Sequence, residues 1–94
     1  MAVALATVPT AHASRYLQQL CKHWGHKFPV EFTPQHGRIE LSAGVLVLDA
    51  GSEALSLHLT AEPDIIVRMT GVVAEHLQRF AFKEALAFDW KPQP

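Results

Sequence analysis

A chain of 94 residues is the length of one ordinary domain and too short to enclose two independent cores. With 49% apolar and 18% charged residues it has the material for a core but no apolar run long enough to cross a membrane, so a soluble domain without a membrane partner is expected. The net charge of −1 argues against nucleic acid, whose recognition needs clustered Lys and Arg.

Met1 to Val8 are apolar but lack the cationic stretch of a signal peptide, and they read as a first strand. Thr10, after Pro9, is suited to cap a helix running from about Ala11 to Trp24, with Gly25 placed at its end. At 100° per residue, Ala13, Tyr16, Leu17, Leu20, Cys21 and Trp24 share one arc, with Ser14, Arg15, Gln18 and Lys22 opposite. Cys21 is the only cysteine, which excludes an intramolecular disulfide and fits a reducing compartment, with the cytoplasm as the expected location.

Alternation then takes over. Phe28, Val30 and Phe32 point one way, Pro34-Gln35-His36-Gly37 supplies a turn, and Ile39 and Leu41 resume the pattern, predicting a hairpin. Val45 to Leu48 is apolar on both faces, as in a central strand, and Asp49-Ala50-Gly51-Ser52 turns the chain again. Leu55, Leu57 and Leu59 alternate with Ser56, His58 and Thr60, the clearest strand signal present.

Pro63 suits the first position of a second helix reaching about Phe80, with Ile66, Met69, Val73, Leu77 and Phe80 as its core stripe. Gly71 falls on the polar side, where it costs roughly 1 kcal/mol against alanine unless something packs on it. Leu86, Phe88 and Trp90 alternate with Ala87 and Asp89 and predict a last short strand. The expected fold is α+β, in the order β-α-β-β-β-β-α-β. A mainly antiparallel sheet of about five to six strands carries two helices on one face. The domain spans residues 1–90, and residues 91–94 are expected to fray.

Charge is unevenly distributed. Residues 1–48 carry Arg15, Lys22, Lys27 and Arg38 against Glu31 and Glu40, together with four of the six histidines, whereas the second half is net acidic. Arg15, Lys22, His23, His26, Lys27 and Arg38 are therefore candidates for an anion-binding surface. His23 and His26, with His36 approaching from the hairpin, are the candidate metal ligands. His12 shares a helix face with His23 but stands roughly 16 Å away along the axis, too far for one ion, and Cys21 belongs to the core arc. The plainer reading of His23 and His26 is a pair of exposed cations favoured at a helix C-terminus, and His76, beside Met69 on the second helix, reads as a satisfied, partly buried histidine rather than a ligand. No nucleophile elbow, phosphate loop or dinucleotide fingerprint occurs, and an enzyme is not expected.

The run Thr10-Ala11-His12-Ala13-Ser14-Arg15-Tyr16-Leu17 through Cys21-Lys22-His23-Trp24-Gly25-His26-Lys27-Phe28 resembles a bacterial family known as domain of unknown function 2218. His36-Gly37-Arg38-Ile39-Glu40, His76-Leu77-Gln78-Arg79-Phe80-Ala81-Phe82 and the ending Phe88-Asp89-Trp90 extend the resemblance over nearly the whole chain. It implies a siderophore or iron-uptake context, with a metal ion or ferric chelate as ligand and a siderophore-interacting flavoprotein as partner, and it carries over no catalytic residue. The alternative is a structural interaction domain, such as a homodimer, in which the histidines are incidental.

Overall fold

The computed structural model describes residues 1–93. Eight elements follow one another: β1 (Ala2–Pro9), α1 (Ala13–Trp24), β2 (Val30–Phe32), β3 (His36–Leu41), β4 (Gly44–Ala50), β5 (Ala54–Ala61), α2 (Ile66–Phe80) and β6 (Lys91–Gln93). The strands form one antiparallel sheet in the order β2-β3-β4-β5-β1-β6, the expected α+β arrangement.

The period-2 pattern sets which face is covered. Ala4, Leu59, Leu46 and Ile39 form one register row and Ala6, Leu57, Leu48 and Gly37 the next, and all seven non-glycine side chains are buried. Both helices lie on this face. The arc read from α1 is its buried stripe in full, and Val73 and Leu77 anchor α2 between partly buried Met69 and Phe80. Burying leucines such as Leu17 and Leu20 contributes roughly 1.5–3 kcal/mol each. The opposite face has no helix on it. Val45 and Val47, which made β4 look covered on both sides, are half-buried there beside exposed His58.

The structure moves four predicted features, one of them the start of α2, which lies at Ile66 and leaves Pro63 in the preceding turn. α1 begins at Ala13, because the Thr10 hydroxyl accepts the His12 N–H at 3.1 Å and forms a local turn instead of capping the helix. Gly25 stays right-handed at φ −62°, its N–H bonded to the Cys21 carbonyl oxygen. The stretch from Leu86 to Trp90 keeps its in-and-out alternation without pairing, and the last strand lies at Lys91–Gln93 against Val3, Ala4 and Leu5. Three of the four residues expected to fray are thus paired, and residue 94 lies outside the described residues. Before β6 one side chain bonds three backbone groups. Gln78 accepts the Leu86 N–H at 2.8 Å and donates to the carbonyls of Ala81 and Glu84 at 2.9 and 2.8 Å.

Two glycines make opposite demands. A Cβ on Gly44 would stand 2.2 Å from the Thr60 carbonyl oxygen, whereas one on Gly71 would meet nothing within 4 Å. Gly44→Ala is expected to destabilise the fold by about 1–3 kcal/mol or more, through forced movement of β5. Gly71→Ala is expected to stabilise it by roughly 0.5–1 kcal/mol. Urea denaturation of the two variants beside the parent checks both signs.

Candidate functional site

α1 stops at Trp24 and the chain turns back on its end. The N–H groups of Lys27 and Phe28 both donate to the Trp24 carbonyl oxygen, at 3.0 and 2.8 Å, which holds His26 and Lys27 around the helix terminus. His23 stands exposed on the last turn, where a cation is favoured by the helix dipole. α2 crosses beside it and brings His76 to the same place. The His23 and His76 rings have centroids 5.7 Å apart, and His76 packs on Trp24 at 5.0 Å. His76 Nδ1 lies 2.7 Å from the Val72 carbonyl oxygen, which can only accept, so Nδ1 is the donor of that bond and Nε2 is the nitrogen that bears the lone pair of the neutral ring.

His23, Trp24, His26, Lys27 and His76 line a hollow of about 350 Å³. Trp24, Lys27 and His76 also border a second hollow of about 250 Å³ whose walls include Phe28, Met69 and Val72. The two form a basic, imidazole-bearing mouth continuous with an apolar trough. Such a surface suits a ligand with anionic and hydrocarbon parts.

The other residues singled out in the sequence are dispersed. Gly37 faces α1, so its neighbours His36 and Arg38 point from the uncovered face of the sheet. His36 Nδ1 is 2.7 Å from Asp49 Oδ1, and Arg38 pairs with Glu40 at 3.0 Å. Neither reaches His23. Arg15 borders a separate concavity at the far end of α1, with His12, Tyr16, Lys83 and Glu84, while Lys22 is exposed on the last turn beside His23. The basic surface read from the sequence is therefore dispersed, and of its residues only His23, His26 and Lys27 line one hollow. Among the described residues, no group of three or more His, Cys, Asp or Glu side chains is arranged around a metal position. Cys21 is fully buried, and burial pushes its thiol up to about 11, which leaves it inert as a nucleophile.

Sequence reasoning took His76 for a satisfied, partly buried histidine. The residue is indeed half-buried with Nδ1 bonded to the backbone, but nothing in the spacing of either helix signals that it meets His23. A second unforeseen assembly joins the chain ends. The Tyr16 hydroxyl donates to Glu84 Oε2 at 2.5 Å and the Thr10 hydroxyl to the same oxygen at 3.0 Å, tying β1 and α1 to the segment after α2. The bond from Tyr16 holds the Glu84 carboxyl below the usual carboxylate range. The same bond, together with burial, raises the Tyr16 phenol.

Comparison with known proteins gives two matches. A family described as an uncharacterized protein conserved in bacteria, DUF2218, matches residues 5–91, which include every residue of the hollow. The NMR structure of PA4090 from Pseudomonas aeruginosa is similar at 40% identity, with 97% of this chain and 96% of that chain covered and a TM-score of 0.80. No curated protein matches the chain.

The Tyr16–Glu84 bond has a pH signature. Because the folded carboxyl titrates below its unfolded counterpart, its stabilisation is complete above the ordinary Glu range and is lost as pH falls below that range and through the lowered folded value. The raised phenol acts in the other direction, contributing below about pH 10 and losing its contribution as pH climbs past that. Tyr16→Phe is expected to lower Tm at neutral pH and to flatten both limbs, which a series of thermal melts across pH reads directly.

Proposed function

The chain belongs to the bacterial DUF2218 family, and from that premise we propose that the domain is a non-enzymatic binding module in iron or siderophore handling, with the hollow between α1 and α2 as its ligand surface. The observation that carries the reading is the convergence of His23, His26, Lys27 and His76 around Trp24, beside the trough of Phe28, Met69 and Val72. A ferric chelate presents anionic oxygens on a partly hydrocarbon frame. The lysine and imidazoles suit its charge, and the trough suits its frame. A binding role also accords with the inert thiol of Cys21.

Titration of a ferric catecholate chelate into isotope-labelled protein is expected to shift the resonances of His23, His26, Lys27, His76 and the Trp24 indole. Lys27→Glu should weaken the binding about tenfold, a loss of about 1.4 kcal/mol. Shifts confined to His36 and Arg38, or uniform broadening with Lys27→Glu indistinguishable from the parent, would overturn the proposal.

A second reading, a homodimer, is favoured by the uncovered face of the sheet. Lys91, Leu5, His58, Val47, Arg38 and Glu31 form one register row across it, with Val3 and Val45 in the next. A second copy turned about an axis parallel to the strands sets each Lys91 over the other copy's Glu31, whereas an axis along the row sets like charges together. Sedimentation equilibrium should then show a mass that rises with concentration and falls back to monomer in Val47→Lys. A strictly monomeric protein at high concentration removes this reading.

A further inference from the structure

The geometry points to a more specific occupant of the hollow, an inference that rests on reading it as the ligand surface: His23 and His76 together seat one first-row divalent metal ion through imidazole nitrogens. His76 is held in the manner of a metal-binding imidazole. Its Nδ1–H is committed to the Val72 carbonyl at 2.7 Å, which fixes the tautomer and leaves Nε2 as the donor, and Trp24 at 5.0 Å backs the ring. His23 comes from the other helix. Imidazoles sharing one ion through bonds of about 2.0–2.1 Å have ring centroids roughly 5–6 Å apart, and these stand 5.7 Å apart before any ion is bound. The seat is assembled by helix packing, with no loop needing to close.

The donor set selects the ion. Two neutral nitrogens, with no carboxylate in the lining, disfavour magnesium and calcium and suit Zn²⁺, Ni²⁺ or Cu²⁺. As placed, His26 does not make a third ligand, so the ion keeps open positions. Lys27 and His26 at the rim favour an anion in those positions. The inferred species is therefore a metal ion held by two histidines and completed by an anionic oxygen donor or water. The pair His36–Asp49 is the competing place for such an ion, on the other face of the sheet.

Ni²⁺ alone is the probe, titrated calorimetrically and followed on the imidazole nitrogens by ¹H–¹⁵N NMR. One ion per chain is expected, with the ring-nitrogen resonances of His76 and His23 selectively broadened by the paramagnetic ion while those of His36 and His58 persist. His23→Ala, at an exposed position, and His76→Ala should each weaken binding by at least about tenfold, the lower end of what loss of a supporting partner costs a metal site. His36→Ala should leave the affinity unchanged. Because His76 also packs on Trp24, the backbone spectrum of its variant is compared with the parent, and His23→Ala decides the question if that variant is unfolded. Binding that survives His23→Ala, or that is lost in His36→Ala, overturns the inference. If Ni²⁺ fails to bind while the ferric chelate still shifts the hollow, the metal seat falls and the binding module stands; if neither binds, both fall.

Discussion

The close approach of α1 to the sheet is the constraint on which the rest of the structure depends. A Cβ at position 37 would come within 2.9 Å of the Cys21 sulfur and 3.4 Å of Leu17, so β3 can lie under the helix only because Gly37 has no side chain. That contact lets Leu17, Leu20, Cys21 and Trp24 reach the leucines of β4 and β5 with no exposure of consequence. It also orients the strand beneath. Once residue 37 faces the helix, residues 36 and 38 must face away, and the imidazole of His36 and the guanidinium of Arg38 are committed to the other side of the sheet.

This explains why the elements were legible from the residues while the site was only half so. The buried arc of α1 and the inward leucines of β5 follow from periodicity alone, since each element has one covered face and apolar residues mark it. Grouping His36 and Arg38 with His23 failed because closeness along a chain says nothing about which face of a sheet a side chain takes. The stretch from Leu86 to Trp90 teaches a related lesson. Alternation there truthfully reports which side chains turn inward, but the stretch pairs with no strand, and the N–H of Leu86 at its start goes to the amide of Gln78. Val45 and Val47 misled in the opposite sense, since an apolar pair on β4 suggested a cover that the fold does not provide.

What remained hidden shares one property: it joins residues far apart in sequence. His23 meets His76 only because α1 and α2 pack together, and Glu84 meets Thr10 and Tyr16 across separations of 74 and 68 residues. No spacing rule reaches across such distances. Position within an element is readable, and juxtaposition between elements is not, which is why the chain itself marks Lys27 and His26 as functional candidates but not their partner His76 on the second helix.

The place of β1 in the sheet bears on how the molecule acquires its shape. β2, β3, β4 and β5 form a meander of successive neighbours, joined by short turns, whereas β1 enters between β5 and β6 with Ala2 opposite Ala61 and Val3 opposite Gln93. Pairings between sequence neighbours close small loops; those of β1 close loops spanning most of the chain, and the entropy of that closure must be met before the contacts repay it. The meander, with α1 laid across it, is thus the part able to organise locally. The edge that β6 joins exists only once the first strand in the chain is in place.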